Sequence, residues 1–220
     1  LLGLGTWDLD QKKCSRVVSE ALDLGYRHID AAAMYENESE VGTGIIDSRV
    51  DREKVFLTTK INTTGWTPSG GDSSSLKNKS IIQAFEKSLF DLKTDYVDLF
   101  QTHFAPQTEE DFKNIEKAFD KIKSENKAKY CGVSIGYEYE KGIELIERGL
   151  VDSLQIFFSL LDNKARTQLF PLAKKFNVGI IAAEPLAQGF LTGKYDHNTI
   201  FPKNDVRSRL GKNDIENKVK

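Results

Sequence analysis

The chain has 220 residues, 39% hydrophobic and 29% charged, with 31 Lys and Arg against 33 Asp and Glu. One sizeable core fits that length, and a formal net charge of −2 leaves no basic field for nucleic acid or anionic lipid. No apolar run is long enough to span a membrane, and the opening Leu1–Gly5 is too short for a signal-peptide core. Cys14 and Cys131 lie far apart without metal-ligand spacing, so a reduced, cytoplasmic, metal-free protein is the expectation.

Short extended runs alternate with amphipathic ones. Leu1–Gly5 reads as a strand, and Cys14, Val17, Val18, Ala21 and Leu22 recur as one helix face ending at Gly25. Tyr26–Asp30 is the second strand, with Val41, Ile45 and Ile46 marking a short helix. Lys54–Lys60 is the third, paired with a helix through Ile81, Phe85, Leu89 and Leu92. Tyr96–His103 precedes a helix through Phe112, Ile115, Phe119 and Ile122. Ala128–Ser134 precedes one around 142–148, and Asp152–Phe157 one through Leu169, Leu172, Ala173 and Phe176. Val178–Pro185 is the seventh strand.

Strict β–α alternation implies a parallel sheet with right-handed crossovers, either a (β/α)8 barrel or an open doubly wound sheet. After the first strand, Gly3-Leu4-Gly5-Thr6-Trp7-Asp8 lacks the third glycine of a dinucleotide fingerprint. Polar residues at strand ends favour the barrel, whose sites collect at the C-terminal face. Asn62–Lys79, rich in Gly and Ser, reads as a solvated connector or as a wall of the site in which Trp66 meets substrate. From Lys194 to Lys220, eleven of 27 residues are charged and no periodic apolar face emerges, so no eighth strand and helix is assigned. The fold expected is a (β/α)8-type barrel over residues 1–195, ending after its seventh strand, with a charged tail over 196–220.

Four ionisable residues end or follow successive strands: Asp30, Tyr35, Lys60 and His103. Singly, each has an ordinary structural explanation: a surface ion pair, a satisfied buried histidine, a packed tyrosine. Together in one barrel mouth they suit general acid chemistry on a carbonyl. A phenol near pKa 10 is a poor acid at neutral pH, and a nearby ammonium lowers that value. Asp30 would keep Lys60 charged, and His103 would aim the carbonyl oxygen. A strand-end lysine also permits a Schiff-base lyase.

The motifs GLGTW (3–7), GYRHIDAAAMYENESEVG (25–42), LTTK (57–60) and DYVDLFQTHF (95–104) resemble those of the aldo-keto reductase family, as do KYCGVS (129–134), LQIFFSLL (154–161) and EPLAQGFLTGKY (184–195). The resemblance implies a (β/α)8 enzyme that binds NADPH, with NADH also open, and reduces a small-molecule aldehyde or ketone. It implies Tyr35 as proton donor, Asp30 and Lys60 as its tuners, and His103 as orienter of the carbonyl. Gly5, Thr6 and Trp7 would lie beside the nicotinamide, Trp7 also touching substrate. Ser134 and Gln155 would hold the carboxamide. Phe158 stands where the family commonly stacks a tyrosine on the nicotinamide, and Ile135 where many members have an asparagine. Pro185, Leu186, Gln188, Gly189, Leu191 and Lys194 would contact the cofactor, the later ones covering its pyrophosphate. Nothing after Lys194 resembles the family's eighth unit, which grips the adenosine 2′-phosphate. A cofactor-binding regulatory member of the same family, or an inactive truncated copy, is the alternative.

Overall fold

The first helix begins at Asp10, whose carboxylate accepts the Lys12 backbone N–H at 2.9 Å. That fills one of the donors a helix start leaves open. Helix α1 (Gln11–Asp23) then buries Cys14, Val18, Ala21 and Leu22 along one face. Gly25, at φ +105°, turns the chain into the next strand through a conformation that favours glycine.

The computed structural model describes residues 2–63 and 81–219. Its strands are β1 (Gly3–Gly5), β2 (His28–Asp30), β3 (Phe56–Ile61), β4 (Val97–Thr102), β5 (Ala128–Gly136), β6 (Ser153–Phe157) and β7 (Gly179–Ala183). All six neighbouring pairs are parallel, and the order across the sheet is the order along the chain. The remaining helices are α2 (Glu38–Asp47), α3 (Ile81–Asp91), α4 (Glu109–Ser124), α5 (Tyr139–Glu147), α6 (Ala165–Gln168), α7 (Phe170–Lys175) and α8 (Lys212–Val219). The sheet curls as the wall of a (β/α)8-type barrel, and among the described residues β1 and β7 are its edges.

The main core lies between the strands and the helices. Phe100 of β4 meets Phe85 of α3 at 4.5 Å and Phe119 of α4 at 5.8 Å between ring centroids. Because side chains alternate along a strand, its neighbour Leu99 points the other way, into the lumen. Gly42 lets α2 close on the end of α3, since a Cβ there would sit 2.4 Å from the Leu92 carbonyl oxygen. Helix α4 is held by a capping box in which Thr108 and Asp111 satisfy each other's backbone N–H. No helix among the described residues is long and apolar enough to cross a membrane.

Two stretches differ from the sequence expectation. The helix read through Leu169, Leu172, Ala173 and Phe176 is α7, and a separate helical turn outside that reading, α6, precedes it, with Pro171 in the first turn of α7. Proline has no N–H to continue the earlier helix, so it starts a new one. The charged tail is also structured: a 3-10 turn at Val206–Arg209 leads into α8. There Ile215, with Ala187 and Phe190, centres a small apolar cluster apart from the main core.

Candidate active site

In a parallel barrel wall all the strands end on one side, and the polar residues there converge. Asp30 ends β2, in register with Gly5 of β1 and Thr58 of β3. Lys60 lies on β3, Tyr35 in the 3-10 turn Ala33–Tyr35 that follows β2, and His103 just after β4, its backbone N–H donating to the Ile61 carbonyl at 2.8 Å.

The Lys60 ammonium is 1% exposed and donates to Asp30 Oδ1 at 2.7 Å and to the Ala31 carbonyl at 3.0 Å. Gln155 Nε2 donates to the other Asp30 oxygen at 2.9 Å. Asp30 therefore joins the two sides of the lumen. Lys60 Nζ also lies 5.3 Å from the Tyr35 ring centroid. The Tyr35 and His103 rings meet edge to face at 5.5 Å, and His103 stacks on Phe104 at 5.3 Å.

Burial and charge set the protonation states. Burial opposes the charge on Lys60, but Asp30 and Tyr35 outweigh it and hold the ammonium above its ordinary pKa. A lysine kept as an ammonium has no lone pair to form a Schiff base, which disfavours the lyase alternative. Burial, helped by Lys60, pushes His103 down to about 3, so its imidazole is neutral at pH 7. Its Nδ1 is buried with no hydrogen-bond partner. Tyr35 corrects the expectation from sequence. Lys60 does pull its phenol down, but burial outweighs that pull and the net shift is upward. Tyr35 is thus a fully protonated phenol at neutral pH.

These four residues line a cavity of about 1460 Å³ that occupies the lumen. Gly5, Trp7, Ser134, Gln155 and Pro185 line it as well. Ser134 stands directly opposite Gln155, and the register shifts just after it, between Ser134 and Gly136. Other expected site residues lie outside the lining. Thr6 is fully buried and ties β1 to the Asp30 carbonyl. Phe158 packs outward on Phe170 at 4.9 Å, whereas Phe157 faces the cavity. The cause is strand alternation: Phe157, two residues beyond Gln155, shares its face, and Phe158 takes the other. Leu186, Gln188, Gly189, Leu191 and Lys194 sit in and beside the 3-10 segment Ala187–Thr192, away from the lining. Trp66 lies outside the described residues.

The structure adds Met34, Phe104, Tyr137, Phe157 and Arg209 to the cavity. Phe104, Tyr137 and Phe157 each stand at or just past a strand end, a position that the sequence does reveal. Arg209 is brought in by the folding of the tail. Gln101 of β4, fully buried with both amide atoms unpartnered, has no signal in the sequence.

Comparisons with known proteins identify the class to which this parallel barrel wall belongs. The model of the Aldo/keto reductase family matches residues 1–219, and the chain belongs to that family. An aldo-keto reductase of Mycolicibacterium smegmatis is 34% identical over 191 residues, 86% of this chain and 65% of that protein. A glyoxal reductase of Bacillus subtilis is 30% identical over 190 residues, again 86% of this chain and 64% of its own length. The crystal structure of an aldo/keto reductase from Brucella melitensis superposes with a TM-score of 0.69 at 33% identity, covering 84% of this chain and 68% of that one. The chain thus spans somewhat less than two thirds of the length of these two curated relatives.

Proposed function

We propose that the protein is a reductase that transfers a hydride from NADPH or NADH to an aldehyde or ketone, with Tyr35 donating the proton to the carbonyl oxygen. The observation that carries this reading is the buried Asp30–Lys60 ion pair facing the Tyr35 ring, with a neutral His103 edge to face beside it. A neutral imidazole can donate a hydrogen bond to a carbonyl oxygen but has no spare proton to give. That leaves the phenol as the acid. Lys60 is placed to stabilise the phenolate that forms, and Asp30 to keep Lys60 charged and oriented.

The lining suits a nicotinamide cofactor. Ser134 offers a hydroxyl, Gln155 keeps its Oε1 free of Asp30 for a carboxamide N–H, and Phe157 offers an aromatic face. Arg209, exposed at the rim, offers charge to a phosphate. When bound, the cofactor supplies the hydride. The aromatic and apolar groups around Tyr35 (Trp7, Met34, Phe104 and Tyr137) would exclude water and hold an uncharged carbonyl compound. Small dicarbonyls belong in the first substrate panel because one relative is named a glyoxal reductase.

The test is loss of reduced-nicotinamide absorbance with NADPH or NADH and a panel of aldehydes and ketones. Tyr35→Phe should lower kcat by about 10²–10⁴-fold, the usual contribution of a positioned general acid. A fully active Tyr35→Phe would remove Tyr35 from the mechanism.

A further inference from the structure

Tyr35 stands on a turn rather than a strand, so something must hold that turn still. Part of it is left-handed: Glu36 has φ +54°, a region that non-glycine residues occupy only when their surroundings demand it. Gln11 Nε2 donates to the Glu36 carbonyl at 2.7 Å from α1. The next residue, Asn37, is fully buried and donates from Nδ2 to the Thr6 carbonyl at 2.8 Å, at the end of β1. Glu38 follows, 4% exposed, and its Oε1 accepts the Thr59 hydroxyl at 2.5 Å.

Thr59 and Lys60 are neighbours on β3. Alternation turns Lys60 inward to Asp30 and Tyr35, and Thr59 outward to α2. Two residues separate Tyr35 from Glu38, so the Tyr35 ring, which faces the Lys60 ammonium at 5.3 Å, is also tied to β3 through the backbone by way of Glu38 and Thr59. Burial makes a carboxyl costly to keep at this position for packing alone. We propose that the Glu38–Thr59 hydrogen bond is a latch that positions the Tyr35 phenol against Lys60. The inference rests on Tyr35 as the acid. Glu38 and Thr59 touch no reacting atom and act only through Tyr35.

Thr59→Val removes the donor without changing shape. With carbon-13-labelled tyrosine, the Tyr35 ring resonance is identified by its loss in Tyr35→Phe. In Thr59→Val that resonance should shift or broaden at neutral pH. In the same variant kcat should fall about 10–100-fold with KM unchanged. Thr59→Ser, which restores the hydroxyl, should recover both. If Thr59→Val does not fold, Thr59→Val with Glu38→Met removes both buried polar partners together and carries the same comparison. A Tyr35 resonance unchanged from wild type in the folded variant overturns the latch. A fully active Tyr35→Phe overturns the acid role instead and leaves the resonance to decide the latch.

Discussion

Strands β3 and β7 run parallel in one sheet, yet they live in different environments. From Leu57 to Ile61, β3 is buried throughout, flanked by β2 and β4, whereas no residue of β7 is fully buried and Gly179 and Ala182 are exposed. The difference governs the chemistry each can hold. Between two neighbouring strands, a lysine can be stripped of water and kept charged, because Asp30 and the Ala31 carbonyl stand at fixed distances across the sheet. Beside β7, charge stays at the solvent rim: Arg207 is satisfied by Asp205 within the tail and by Tyr195 and the Gln188 carbonyl before it, and Arg209 remains exposed. The Asp30–Lys60 pair is thus built into the core, whereas the charged groups beside β7 are carried by a surface layer.

The largest effect should come from removing the buried cation. Lys60→Met leaves the Asp30 carboxylate without its ion-pair partner, and a buried pair broken on one side costs about 3–5 kcal/mol. Urea unfolding should show that loss along with the loss of activity. A variant as stable as wild type would mean that β3 is no more demanding than the rim.

Next comes Glu38, whose carboxyl is pushed from an ordinary 4.5 up to about 7, chiefly by burial, against the pull of Thr59. Asp91 adds to the rise and Lys87 opposes it. Between those two values the folded state binds a proton that the unfolded state has released. Its contribution is fully present below about pH 4.5 and is lost as pH rises through about 7, at most about 3 kcal/mol. Glu38→Gln should flatten that part of the stability–pH curve. An unchanged slope would place the titration elsewhere.

Much of this division could be read from the sequence. Asp30, Tyr35, Lys60 and His103 were legible because parallel strands end on one side, so residues at successive strand ends must meet. Finer placement depended on which face each residue takes. A motif alignment puts Phe158 at the nicotinamide, but counting by twos from Gln155 puts Phe157 in the lumen. The sign of the Tyr35 shift was not legible, since an ammonium's pull follows from identity whereas burial follows from three-dimensional packing. The same holds for α8. With charges at Lys212, Asp214, Glu216 and Lys218, its only buried side chain is Ile215, too few to register as an apolar periodicity.

That helix supplies the smallest and most selective prediction. Ile215 is 8% exposed, and its cluster with Ala187 and Phe190 shares no residue with the buried core around Phe100. Ile215→Ala should cost roughly 1 kcal/mol, at the modest end for a truncated apolar side chain. If the tail is a layer separate from the barrel wall, that cost should fall on local opening alone. Amide hydrogen exchange should then quicken across 212–219, while β3 to β5 keep their protection and the Lys60–Asp30 pair is undisturbed. Faster exchange in β3 would show that the tail and the buried half of the site unfold as one unit, and the contrast between β3 and β7 would reduce to solvent exposure.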